Sequence, residues 1–342
     1  MSVPATKPLA LTIGDPAGIG PDITLLAFEA RHREELPPFV YLGDKATLEA
    51  RAAQLGLSVR IETVARPLEA VGMFADALPI LPVPVAVPVQ PGKPEPGAQA
   101  AVTASIEAAV EMVLSGEARA VVTNPISKSY LYQAGFTFPG HTEYLAALAA
   151  ADGPAPHPVM MLASKILKVV PVTTHIPLKD VPSALTRDLL MKTIAITDRD
   201  MRRRFGLARP RIAVSGLNPH AGEDGSLGRE ETDIIASTIL AAQDAGLDVS
   251  GPYPADTLFH EAARERYDVA ICMYHDQALV PFKTLAFEDG VNVTLGLPFV
   301  RTSPDHGTAF DIAGTGKANP RSLVEALRLA DAMTAASAGP AA

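Results

Sequence analysis

Short apolar runs of strand length alternate along this chain with longer stretches of helical periodicity, and that alternation narrows the available folds more than any other feature. Residues 8–13, 39–42, 58–63, 159–163, 168–173, 211–215, 269–273 and 292–296 read as strands, as does AVVTN ending at Asn124. Helices fit a stretch from about Ile23, then 45–54, 98–115, a start near Ser127, 186–205, 230–246 and 321–337. Strands separated by helical stretches need crossover connections, which indicates a parallel sheet and an α/β fold class. At 342 residues the chain has room for two such units with a cleft between them. The segment Pro79 to Pro96 (PILPVPVAVPVQPGKPEP) carries prolines that forbid a central strand or helix, so it reads as edge or surface chain. The Ala-rich tail from Ala335 is expected to fray.

Composition excludes several function classes. Trp is absent and aromatic residues make up 5%, too few for a platform that stacks single-stranded nucleic acid. Net charge is −9, and the one basic run, Arg202-Arg203-Arg204, is expected to be a solvated helix face rather than a nucleic-acid surface. An anionic substrate must therefore be caught by a few local cations. The single cysteine, Cys272, rules out an intrachain disulfide and any multi-cysteine zinc site, and its apolar strand makes it a small buried hydrophobe. Neither a signal-peptide pattern nor an apolar stretch of membrane-spanning length is visible, so the expected location is the cytoplasm, with no membrane partner.

Three histidines each follow a strand-like run: VVPVTTH ends at His175, IAVSGLNPH at His220 and DVAICMYH at His275. A parallel sheet delivers such positions to one carboxyl edge. Three neutral imidazoles meeting there would leave a divalent metal with an open position, the layout of a catalytic site. Nitrogen donors suit Zn²⁺, Co²⁺ or Ni²⁺ better than Mg²⁺. The competing reading is three unrelated loop histidines. Asp276 beside His275, and Asp256 in the PADT turn, can orient an imidazole or a substrate group, or act as helix-cap and turn residues.

Lys283, Asn292 and Arg301 follow the third histidine within a short stretch, and a Lys and an Arg near a metal can clamp phosphate or carboxylate. His141 and Thr142, after Pro139-Gly140, add donors at the head of a helix, where anions are favoured. Residues 305–320 (DHGTAFDIAGTGKANP) form a turn-rich loop with backbone donors that enters the last helix. On composition it fits the adenosine end of a nucleotide or a plain surface loop, and it is not the GxGxxG fingerprint.

The series GDPAGIGPD, TNPISK, PGHTE, TTHIPL, GLNPHAGE, GPYPADT, MYHDQ and GVNVTLGLPFVRTSPDHGTAFDIAG closely resembles the 4-hydroxythreonine-4-phosphate dehydrogenases of pyridoxal phosphate biosynthesis, over residues 8 to 333. The 305–320 loop also looks like the adenosine loop of isopropylmalate and isocitrate dehydrogenases, the wider superfamily. The resemblance implies two α/β/α sandwich domains of the isocitrate/isopropylmalate dehydrogenase-like kind, one comprising 1–135 and 293–342, the other 136–292. It places the metal ligands on His175, His220 and His275, and the substrate contacts on His141, Thr142, Lys283, Asn292 and Arg301. The same likeness puts nucleotide contacts on His306, Gly307, Thr308, Asp311, Ile312 and Asn319. It further implies a divalent metal (Zn²⁺ first, Co²⁺ or Mg²⁺ as alternatives), NAD or NADP, a small phosphorylated hydroxy-amino acid substrate, and a homodimer with shared active sites.

The reaction implied is oxidation of a substrate hydroxyl followed by decarboxylation, with Asp256, Asp276 and Lys283 as candidate catalytic groups. Related members acting on other phosphorylated hydroxy acids or on ring dihydrodiols are the near alternative. A metal hydrolase and a non-catalytic metal- or phosphate-binding protein are the distant ones, and both leave the 305–320 loop without a purpose.

Overall fold

The computed structural model describes residues 7–133, 135–138, 140–150 and 153–337; Pro139 and the tail beyond Ser337 lie outside the described residues. Contacts divide the chain into two units, one built from residues up to 158 with 297–335, the other from 159–296 with the residues after 335. The expectation placed 136–158 on the other side of that division. Helix packing explains the placement observed: Tyr144, Leu145 and Ala146 bury themselves in the same core as Val102, Ile106 and Val110.

The first unit begins with β1 (Leu9–Thr12), α1 (Gly20–Glu29), β2 (Phe39–Gly43), α2 (Lys45–Leu55), β3 (Ile61–Thr63) and α3 (Glu69–Met73). It continues with β4 (Leu78–Pro82), α4 (Gln99–Leu114), β5 (Ala120–Val122), α5 (Lys128–Gln133) and α6 (His141–Ala149). The second unit contains β6 (Val159–Ala163), β7 (Lys168–Thr173), α7 (Val181–Ala184), α8 (Arg187–Phe205), β8 (Ile212–Ser215) and α9 (Ala236–Asp244). It adds β9 (Val249–Tyr253), α10 (Glu261–Arg264), β10 (Val269–Tyr274), α11 (His275–Ala286) and β11 (Val291–Leu295). The chain then returns to the first unit for β12 (Val300–Pro304) and α12 (Arg321–Ser337). No helix among the described residues is long and apolar enough to cross a membrane.

Strands of the first unit run in the order β3-β4-β2-β1-β5-β12, all parallel. Those of the second run β11-β6-β7-β10-β8-β9. Here β7, β10, β8 and β9 are parallel, but β6 is antiparallel to both β7 and β11. The wholly parallel expectation fails at β6 because only residues 164–167 separate it from β7, closed by the Ser164 N–H to Leu167 O bond of 2.9 Å. A crossover cannot be made in four residues.

Burial on both faces explains the continuous apolar strands, as in LALT of β1 and FVYLG of β2. Two strands were not anticipated, β9 (VSGPY) and β12 (VRTSP), whose Gly, Pro, Ser and Arg break that signal. The proline-dense segment also differs from expectation, because its start is β4, an inner strand paired on both sides. Leu78 donates to Arg60 O and Ile80 O accepts from Val64, so both face β3. By alternation Pro79 faces β2 before that ladder starts at Ile80, and Pro82 faces β3 after that ladder has ended there. Neither proline is asked for the donor it lacks.

The basic run of α8 is only partly a solvated face. Arg202 pairs with Asp198 at 2.8 Å on the outside, while Arg204, one turn beyond buried Asp200 and Met201, is 5% exposed. Burial pushes its guanidinium down to about 10.

In the first unit Asp22 and Arg51 form an ion pair with both side chains buried. Arg51 also donates to the carbonyls of Gly18 (2.9 Å) and Pro16 (3.1 Å), and Asp22 accepts from Gly314 N–H at 2.7 Å. This pair therefore clamps the 14–22 loop to the 305–320 loop. Replacing Arg51 by Met strands the Asp22 carboxylate in the interior, so urea unfolding should show a loss of about 3–5 kcal/mol. Limited proteolysis should also reach the 305–320 loop sooner.

Candidate active site

The four adjacent parallel strands β7, β10, β8 and β9 bring their carboxyl ends to one edge. Beyond those ends lie His175, His275, His220 and Asp256 respectively. The rings of His175 and His275 stand 5.5 Å apart between centroids and tilted by 46°. They border an open cavity of about 210 Å³ lined also by Thr173, Ile176, Leu178 and Tyr274. His275 is the first residue of α11, and its Nδ1 lies 2.7 Å from Asp276 Oδ1, which fixes the ring and directs Nε2 away from that carboxylate.

His220 sits in a loop of unusual backbone. His220, Ala221, Gly222, Glu223 and Asp224 all have positive φ, between 42° and 80°. Four of the five are not glycine, so the conformation is strained and must be held from outside. Glu231 holds it. Its carboxylate, 3% exposed, accepts from the backbone N–H groups of Leu217 and Asn218, both at 2.7 Å, and from the Asn218 amide at 3.0 Å. Gly222 passes so close that a Cβ there would lie 2.5 Å from Glu231 Oε2. Glu231 opens a single π-helical turn, Glu231–Ile235, a device often found at functional sites.

The structure thus gathers His175 and His275. Among the described residues no group of three His, Cys, Asp or Glu is arranged to hold a metal ion, so His220 is not gathered with the pair. As chemistry the donor set fits a divalent transition metal: two facing imidazoles, one oriented by a carboxylate, beside a cavity.

Two expected substrate contacts lie elsewhere in this unit. Lys283 is eight residues into α11 from His275, roughly 12 Å along the helix. Asn292 pairs with Leu162, which pairs with Val169 near the start of β7. It therefore sits at the amino edge of the sheet, about 13 Å of strand from the histidine end.

In the first unit Arg301 is an inner residue of β12, 4% exposed, and donates to Thr123 Oγ1 at 2.6 Å. Burial pushes its guanidinium down to about 10. His141 and Thr142 start α6, whose Gly140 cap offers no side-chain bond. His141 is half-buried, but its Nε2 is fully enclosed and has no hydrogen-bond partner among the described residues. Burial first, then the charges of Arg301 and Lys128, hold its imidazole well below the usual range. Lys128, the last residue of TNPISK, was not singled out from the sequence; the fold brings its Nζ to 3.2 Å from where a Cβ at Gly140, the residue before His141, would lie. Asp15, at the end of β1, was also missed; burial raises its carboxyl, against the opposing bonds from Ala17 N–H and Gln99.

The 305–320 loop packs on the 14–22 loop, with Ile19 N–H donating to Thr308 O at 2.9 Å. Gly18 permits that approach, since a Cβ there would meet Thr308 O at 2.9 Å. Of the expected nucleotide contacts, Gly307, Asp311 and Asn319 are exposed and His306, Thr308 and Ile312 are half-buried. Asn319 Oδ1 accepts from Arg321 N–H at 3.0 Å, an Asx turn that leads into α12.

Comparison with known proteins gives a consistent result. The family model described as pyridoxal phosphate biosynthetic protein PdxA matches residues 34–330. A protein of Bradyrhizobium diazoefficiens named 4-hydroxythreonine-4-phosphate dehydrogenase is 58% identical over 340 residues, covering 97% of this chain and 98% of its own. One of the same name from Xanthobacter autotrophicus is 59% identical over 327 residues, covering 95% and 93%. A crystal structure of the Klebsiella pneumoniae enzyme of that name superposes with a TM-score of 0.85 at 37% identity, covering 96% of this chain and 100% of that one.

Two measurements test this geometry. Unfolded histidine titrates near 6.5, so lowering the pH through that value loads the unfolded chain with a proton that His141 resists in the fold. Stability from this group is complete above about pH 6.5 and declines below it. The wild-type advantage over His141→Asn in urea should therefore shrink between about pH 7.5 and about pH 5.5. Glu231→Ala leaves the backbone N–H groups of Leu217 and Asn218 without their acceptor and should cost on the order of 3 kcal/mol by the same method.

Proposed function

Because the chain belongs to the PdxA family of pyridoxal phosphate biosynthetic proteins, we propose that it is a 4-hydroxythreonine-4-phosphate dehydrogenase that uses NAD or NADP. The observation that carries the reading is the adjacent pair His175 and His275 at a strand edge, in a chain similar to enzymes of that name over nearly its whole length. In the reaction, the C3 hydroxyl of 4-phosphohydroxy-L-threonine loses its proton while the C3 hydride passes to the nicotinamide, giving a 3-oxo acid. The bond from C2 to the carboxylate then breaks, CO₂ leaves, and the electron pair is held as an enolate until protonation yields 3-amino-2-oxopropyl phosphate.

His175 and His275 would hold a divalent cation, with His220 as the third donor. Bound there, the cation supplies Lewis acidity toward the substrate oxygen, with Zn²⁺ the first choice and Co²⁺ or Mg²⁺ the alternatives. Asp276 keeps the His275 ring in one orientation. Asp256, exposed on the same edge, is the first candidate to take the hydroxyl proton, with Asp276 and Lys283 the others. Arg301 supplies a guanidinium fork for the anionic ends of the substrate, and neutral His141 with Thr142 adds donors at a helix start. Lys283 and Asn292 lie away from the histidine edge of their own unit, which favours a homodimer in which they serve the partner's site. The 305–320 loop, with His306, Gly307, Thr308, Asp311, Ile312 and Asn319, would receive the nucleotide.

Metal-loaded protein given NAD⁺ and 4-phosphohydroxythreonine should produce NADH, followed by its absorbance. His175→Ala and His275→Ala should each lower kcat/KM by on the order of 100-fold or more. Release of inorganic phosphate with no NADH would replace this reading with hydrolysis.

A further inference from the structure

One uncharged side chain sits at the junction of the strand ends that carry the histidines. Gln277, 9% exposed, lies on the first turn of α11. Its Oε1 accepts from Met273 N–H at 2.7 Å and from Ser215 Oγ at 2.9 Å, and its Nε2 donates to Gly216 O at 2.8 Å. Met273 is two residues before His275 on β10, and Ser215 and Gly216 mark the end of β8 ahead of His220. The third strand joins through the same residue, because Thr173 Oγ1, two residues before His175 on β7, donates to Met273 O at 2.8 Å.

A primary amide is the group this junction requires. Its oxygen serves two donors while its nitrogen serves a carbonyl, with no charge to desolvate. A carboxylate has no donor for Gly216 O, and a hydrocarbon leaves the Met273 N–H, the Ser215 hydroxyl and the Gly216 carbonyl all unsatisfied.

We propose that Gln277 is a positioning residue of the histidine site, fixing the offset between the ends of β8 and β10 and, through Met273 and Thr173, the end of β7. Its amide ties together the strand ends from which the chain runs on to His175, His220 and His275. The inference rests on reading these histidines as a divalent-metal site.

Titration of the metal-free protein with Co²⁺, read by its visible absorption and by chelator competition, tests it without an activity assay. His175→Ala, His220→Ala and His275→Ala establish that the signal arises at this site. Gln277→Leu and Gln277→Glu, checked for fold by circular dichroism, should weaken Co²⁺ binding by about 10- to 100-fold. Tyr267→Phe, which removes a buried bond from the Tyr267 hydroxyl to Leu258 O in the same unit, should leave binding unchanged. If the unaltered protein takes no Co²⁺, or the histidine variants bind as it does, the metal reading falls and this inference with it. If the histidines bind Co²⁺ and either folded Gln277 variant keeps the unaltered affinity, the positioning role alone is overturned. Failure of both Gln277 variants to fold makes the residue a folding determinant and overturns it equally.

Discussion

A strand buried on both faces has no room for chemistry along its length. In each unit the inner strands are largely apolar and buried, so most polar side chains are displaced to where the backbone leaves the sheet. Parallel strands all leave at the same edge. That constraint collects His175, His275, His220 and Asp256 beyond four neighbouring strands of the second unit. It also places Asp15 and Asn124 just past the ends of β1 and β5 in the first.

Delivery to an edge does not fix orientation, and uncharged or fully satisfied polar groups supply that in the second unit. Glu231 takes three donors from the loop before His220, and Gln277 and Thr173 occupy both polar groups of Met273. Five successive residues of positive φ from His220 to Asp224 are tolerable only because such bonds over-determine the loop. Rigidity of this kind suits a site whose ligands come from different strands, where an error of an ångström at one strand end would misplace a donor.

The first unit uses charge instead. Buried Asp22 and Arg51 hold two loops together, each charge satisfied by its partner and by backbone groups. Arg301 is buried on β12 near His141 and Lys128, and burial first, with these two charges added, favours the neutral imidazole. In a chain of net charge −9, such local clusters rather than the overall field attract an anion.

Much of this was legible in the sequence. Apolar runs and helical periodicity located β1, β2, β7, β10, α4, α8 and α12 within a residue or two, because local patterning and burial agree there. The histidines announced themselves by following strands. Three features stayed hidden for physical reasons. Strands β9 and β12 carry Gly, Pro and Arg whose polar groups are satisfied only by neighbours distant in sequence, and β4 hides its prolines at positions where no ladder bond is required. Residues such as Gln277, Glu231, Lys128 and Arg51 have no periodic signature, since their roles consist of bonds to backbone groups or proximity to charges that packing alone brings near. The sequence by itself determined most of the element order, the parallel crossover plan outside β6 and the histidines placed after strand ends. Tertiary structure alone decided strand neighbours, the reversal at β6, which histidines face each other, and which polar side chains hold them, because hydrogen bonds and ring contacts depend on distances that chain order does not encode.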